Sequence, residues 1–200
     1  MSTRGELPVT LGITGASGAP YAVRLLRALN DASVPVRLIV SSYGIRLLDE
    51  ECGIDGIEGL RGATGSWEHV TLYDSLDRGA TPASGSAPTR GMVICPCSMG
   101  TVGSIAAGTS RNLVERSADV VLKERKTLIL VPRETPLSLI HLENMVRLTR
   151  AGATILPAAP GFYHRPTRID ELVDFVVARI MSHLGVDFPA PSWLSGEQHL

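Results

Sequence analysis

The stretch VTLGITGASGAPYAVRLLRAL, residues 9–29, decides the fold. Val9–Ile13 (VTLGI), rich in apolar and β-branched residues, reads as a strand. Gly15, Ser17 and Gly18 then end it. Pro20–Ala32 follows, with Val23, Leu25, Leu26 and Leu29 on one face, a helix with proline in its first turn. A strand with no polar alternation, followed by a short turn and an amphipathic helix, is the opening unit of a parallel sheet covered on both faces.

Outward from there the alternation repeats. Val36–Val40 reads as a strand and Tyr43–Cys52 as a helix. Gly53–Ser66 holds five glycines and is expected to be irregular. Val70–Leu72 is a short strand, and Arg78–Arg90 a loop rich in Gly, Pro, Ser and Thr. Met92–Cys95, Thr127–Val131 and Thr154–Leu156 read as strands. Thr101–Ala107, Leu113–Glu124, Leu137–Ala151 and Ile169–Leu184 read as helices. The expected fold is α/β: one domain over 1–200, a three-layer Rossmann-like (flavodoxin-like) parallel sheet with helices on both faces. Residues 185–200 form a C-terminal tail. In such sheets ligands bind at the carboxyl ends of the strands, near the point where strand order reverses.

Composition narrows the class. The chain has 200 residues, 44% apolar and 20% charged, with a formal net charge of -1. That balance offers no surface for nucleic acid or an anionic membrane. No apolar run reaches the roughly 18 residues a membrane span needs, and Met1–Pro8 lacks the apolar core of a signal peptide. Three cysteines, Cys52, Cys95 and Cys97, fit a reducing compartment, so the expected location is cytoplasmic.

Four strand-end loops carry the unusual residues. After the first strand comes Gly12-Ile-Thr-Gly15-Ala-Ser17-Gly18-Ala-Pro20. Small residues let a phosphate approach the backbone, and the helix start offers N–H groups and a positive dipole end. A plain tight turn needing glycine reads the same. The spacing is not G-x-G-x-x-G, no Lys-Ser/Thr pair follows, and no Tyr has Lys four residues later. Dinucleotide, P-loop and short-chain dehydrogenase signatures are therefore missing. The second loop, Cys95-Pro-Cys97-Ser98-Met-Gly100-Thr101, again opens a helix with small and hydroxyl residues. C-x-C without a partner pair is poor zinc evidence, and no metal site is read. The third, Val131-Pro-Arg133-Glu134-Thr135-Pro136, pairs a phosphate-binding fork with an acid-base group, or else forms a surface ion pair. The fourth, Ala158-Ala-Pro160-Gly161-Phe162-Tyr163-His164, presents an aromatic pair at the rim, or packs it on the last helix. Arg116 and Lys123 lie seven residues apart on one helix face. With Arg133 and Arg179 they can form a basic pocket in a neutral protein, though a solvated-face reading of Arg179 stays open.

Taken together, TGASGAPYAVRLL (14–26), MVICPCSMGTVGSIAAG (92–108), RNLVERSADVVLKERKTLILVPRETPLSLIHLENM (111–145), GATILPAAPGFYHRP (152–166) and DELVDFVVARI (170–180) resemble the UbiX-like flavin prenyltransferases. The likeness covers nearly the whole chain. It implies an enzyme that joins the five-carbon group of dimethylallyl monophosphate to N5 and C6 of reduced FMN. The prenylated FMN then serves UbiD-type decarboxylases. Carried over by position, the resemblance puts Gly15, Ala16, Ser17, Ser41, Ser98, Met99, Gly100, Thr101 and Arg133 on FMN. Glu51 falls near the flavin–prenyl site with Ser17, Glu134 is the proton-handling acid, and Trp193 is an aromatic lid. Arg116, Lys123, Tyr163 and Arg179 fall on the prenyl phosphate. The resemblance also implies a homo-oligomer, a dodecamer, with sites near subunit contacts.

These residue types suit that chemistry. Breaking an allylic C–O bond leaves a phosphate whose charge rises, which Arg and Lys stabilise. The cation left behind can rest on an aromatic face. No Asp-rich diphosphate–magnesium motif is present, which favours a monophosphate donor. Two other readings stay in view. A flavin-dependent cysteine decarboxylase shares the fold, but its PASANT-like string is replaced by Pro96-Cys-Ser-Met-Gly-Thr101, and Gly79–Met92 contains no His. A non-catalytic FMN carrier would bind the flavin without changing its mass.

Overall fold

The computed structural model describes residues 7–188. The strands are β1 Val9–Ile13, β2 Val36–Val40, β3 Val70–Tyr73, β4 Gly91–Cys97, β5 Leu128–Pro132 and β6 Thr154–Ile155. They form one sheet in the order β3-β2-β1-β4-β5-β6, and every neighbouring pair is parallel. β1, β4 and β5 are buried at every position, which is why their sequences show no polar alternation. The chain lays down β1, β2 and β3 in one direction, then returns to the other side of β1 with β4. The reversal leaves a crevice at the carboxyl ends of β1 and β4, where doubly wound sheets take their ligands.

The helices are α1 Ala19–Asp31, α2 Ser42–Cys52, α3 Gly56–Thr64, α4 Met99–Ala107, α5 Leu113–Lys123, α6 Leu139–Arg150 and α7 Ile169–Leu184. They cover both faces and enclose two cores. Leu11, Leu25, Leu29, Val93, Val131, Val177 and Ile180 fill the one under α1 and α7. Met92, Ile94, Val102, Val114 and Leu130 fill the one under α4 and α5. Cys95 belongs to the first core and Cys97 to the second, so the two thiols face opposite sides of the sheet. Burial pushes both thiols well up, away from thiolate chemistry.

The glycine-rich segment is the main departure from the sequence reading. Residues expected to be irregular form α3. Leu60 is fully buried, Ile57 and Ala63 pack on the same core, and Thr64 Oγ1 donates to Leu60 O at 2.8 Å. Each interior glycine costs a helix about 1 kcal/mol, and burial of this apolar stripe offsets it. Helix α6 is the reverse case. Its sequence is helical as expected, yet among its residues only Leu148 is buried, while Leu139, Ile140, Leu142 and Val146 face outward. Among the described residues no helix is long and apolar enough to cross a membrane.

Candidate active site

The crevice is fixed by one buried threonine. Thr14, the first residue past β1, donates from Oγ1 to Pro96 O at 2.9 Å and accepts from Ser98 N–H at 2.9 Å. Its own N–H also donates to Pro96 O. A single side chain thereby locks the β1–α1 loop to the β4–α4 loop across the switch. Nothing in the sequence singles Thr14 out except its place at the strand exit, and the sequence reading missed it.

Three helices begin around this crevice. Ser98 caps α4: its Oγ accepts from Thr101 N–H at 3.2 Å and bonds Thr101 Oγ1 at 3.0 Å. Ser41 caps α2, accepting from Gly44 N–H at 3.1 Å, and its own N–H donates to Ile13 O at 3.0 Å. The start of α1 is different. Gly18 stands there at φ 129°, a backbone state that favours glycine, and offers no side chain to cap the helix. Glu51, from the last turn of α2, supplies the cap instead. Its Oε2 accepts from Gly18 N–H and Ala19 N–H, both at 2.8 Å.

Sequence reasoning treated the start of α1 as open to a phosphate. Two of its N–H groups are taken by Glu51, and this terminus already holds its anion. The charge state follows from the surroundings. Partial burial pushes the Glu51 carboxyl up. The Gly18 N–H, the Ser17 hydroxyl, the Ala19 N–H and the positive charge of Arg133 outweigh it and hold the group below the usual carboxylate range. Arg133, at the end of β5, donates from Nε to Ser17 O at 3.1 Å. The fold thus brings together Gly15, Ala16, Ser17, Ser41, Glu51, Ser98, Met99, Gly100, Thr101 and Arg133.

The residues expected on the prenyl phosphate are distributed otherwise. Tyr163 packs edge-on to Phe175 of α7 at 5.8 Å, and Arg179, one turn on from Phe175, shares a groove of about 270 Å³ with it. Phe175 joins these two residues, a role its place in an apolar helix face did not reveal. The loop bearing Tyr163 is tied to the end of β5 by Ala158 N–H donating to Pro132 O at 3.0 Å. Glu134 is exposed, and its Oε1 accepts from Thr135 N–H at 3.0 Å. Among the described residues, nothing buries Glu134 in the way that would fit it for acid catalysis.

Arg116 and Lys123 lie on α5, the helix that returns before β5. Lys123 ends α5 five residues before Leu128 starts β5, at the amino ends of the strands. Arg133 follows the carboxyl end of β5. One chain therefore holds Lys123 at the edge of the sheet opposite the crevice. Arg116 pairs with Asp119 at 2.8 Å, and Lys123 pairs with Glu124. Trp193 lies outside the described residues.

A doubly wound parallel sheet whose switch crevice is lined by serine-capped helix starts, an arginine and a bound carboxylate defines a nucleotide- or flavin-type binding protein. The flavoprotein family model matches residues 2–181. The flavin prenyltransferase UbiX of Pseudomonas aeruginosa is 46% identical, covering 98% of this chain and 97% of that protein. The chain belongs to the flavoprotein family, among its UbiX-type flavin prenyltransferases. Two solved structures agree. AnUbiX (PadA1), crystallised with FMN and dimethylallyl pyrophosphate, matches with a TM-score of 0.85 and 36% identity, over 91% of this chain and 94% of that one. A dodecameric FMN-dependent UbiX-like decarboxylase from Escherichia coli O157:H7 matches with a TM-score of 0.87 and 39% identity, over 97% of this chain and 100% of that one.

Proposed function

We propose that this protein transfers the dimethylallyl group of dimethylallyl monophosphate to N5 and C6 of reduced FMN, making prenylated FMN for a UbiD-type decarboxylase. The observation that carries the reading is the linked set Ser17, Glu51 and Arg133 at the β1–β4 switch. It places a charged carboxylate, a hydroxyl and a guanidinium on one crevice in a chain of this family. Reduced FMN supplies the nucleophile, and the remaining work falls to the chain's own residues.

With the start of α1 filled by Glu51, the serine-capped starts of α2 and α4 are the helix termini that remain for the flavin phosphate. Ser17 and Glu51 can hold and pass a proton beside Gly15 and Ala16. Arg133 offsets the negative charge that Glu51 brings. Tyr163 and Arg179 hold the leaving phosphate as its charge rises. Glu134 takes up the proton released on ring closure once something covers it.

Arg116 and Lys123 complete the phosphate site from a second copy of the chain. Their present partners are exposed or half-exposed ion pairs, weakly held in water, which a phosphate can displace. The outward apolar residues of α6 directly follow the Arg133–Pro136 loop and give a second copy a face to cover. The assembly is a homo-oligomer, a dodecamer like its Escherichia coli relative. Its three cysteines are free, and it works in the cytoplasm, where reduced flavin persists.

The test is anaerobic incubation with reduced FMN and either dimethylallyl monophosphate or the diphosphate, followed by mass spectrometry of the released flavin. The expected result is a flavin heavier by one C5 unit with the monophosphate and little or none with the diphosphate. Unchanged flavin from both, with FMN still bound, would contradict transfer and leave a carrier.

A further inference from the structure

Tyr43 belongs to none of the groups described so far. It stands in the first turn of α2 and is 69% exposed, an aromatic ring left in the open at the crevice mouth. Its position is nevertheless fixed. The Ser41 N–H bond to Ile13 O ties the start of α2 to the end of β1. A Cβ added at Gly15 would lie 2.5 Å from Tyr43 Cβ and 3.3 Å from Tyr43 Cγ. The tyrosine side chain therefore rests directly on the α-carbon of Gly15, and any side chain at position 15 would displace it. Gly15 is itself exposed, so the space beside the ring is open. A ligand touching the Gly15–Ser17 backbone must pass against this ring.

We propose that Tyr43 is the outer wall of the flavin site and packs its ring on bound FMN. The inference rests on the flavin-binding reading above. Tyrosine suits such a wall: it presents a flat apolar body to the ligand and keeps a polar tip in water. It also loses little side-chain freedom on binding, because Gly15 already seats it. Tyr43 holds and shields the flavin; the proton and phosphate chemistry stays with the residues named earlier.

The test compares wild type, Tyr43→Phe and Tyr43→Ala. FMN affinity is read by equilibrium dialysis, shielding by iodide quenching of bound-FMN fluorescence, and assembly by size-exclusion chromatography with light scattering. Tyr43→Ala is expected to weaken FMN about five- to tenfold and to expose it to iodide, while Tyr43→Phe stays near wild type and the assembly is unchanged. Unchanged affinity and shielding in Tyr43→Ala would overturn the proposal. So would a smaller assembly with intact FMN binding, which would make the ring a contact between copies. Failure of the wild type to bind FMN would instead bring down the flavin reading itself, and this proposal with it.

Discussion

Around the β1–β4 switch, Thr14, Gly18, Ala19, Glu51 and Ser98 are joined by hydrogen bonds of 2.8 and 2.9 Å. Beyond β5, by contrast, Glu134, Tyr163 and Arg179 are all exposed, and the helix between them turns its apolar side outward. The two halves of the same sheet edge are built for different partners. The first is set before any ligand arrives, because its polar groups already satisfy one another. The second offers a cation, an acid and an aromatic rim that the described residues leave exposed. Under the proposed function, changes in the first half should act on folding as well as binding, and changes in the second on turnover and assembly.

The largest effect belongs to the open half. Arg179→Ala is expected to lower the rate of flavin prenylation about 100-fold, the scale for removing one stabilising group from a developing charge. Unfolding stability should stay within about 0.5 kcal/mol, as for other surface substitutions. A large stability loss in a denaturant melt would erase the distinction between the halves.

A smaller effect is expected in the preset half. Glu51→Ala removes the cap of α1 and should cost about 1 kcal/mol, no more than a typical capping group contributes, because Glu51 is exposed. For a chain of this size that shifts the melting midpoint by about 2–4 °C at neutral pH. The native carboxyl lies below its ordinary value, so its contribution is full only at pH values above that ordinary value of about 4.3 and is lost as pH falls through the native value. The difference between wild type and Glu51→Ala in thermal melts should shrink on acidification. A gap that stays constant or widens would mean that the charged cap is not what stabilises α1.

Much of the fold was readable because local signals and global packing agree. Val9–Ile13, Val36–Val40 and Ile169–Leu184 have the bounds their sequences imply, since buried strands and a long amphipathic helix leave periodicity little competition. Helix α3 was hidden because glycine propensity and tertiary burial point opposite ways there. In the site, the strand-end loops were legible from small and hydroxyl residues after apolar runs. The Glu51 cap was not, since it spans 33 residues of sequence, and no spacing rule encodes a carboxylate reaching another helix. Tyr43 and Phe175 were invisible for a related reason: each matters through what it touches. Lys123 shows the converse: it shares a helix face with Arg116 by spacing, yet at the end of α5 it stands at the amino ends of the strands, away from that chain's own crevice.

The most direct test of a site preset in one chain and finished by another is subunit complementation. Arg133→Ala and Lys123→Ala chains, carrying different tags, would be purified as separate homo-oligomers and as a co-expressed mixed assembly, and prenylated FMN measured by mass spectrometry. Each homo-oligomer should be nearly inactive, and the mixed assembly should regain activity, since some crevices then combine an intact Arg133 with a neighbour's intact Lys123. No gain over the two parents in a verified mixed assembly would contradict the account and return both residues to the same chain's site.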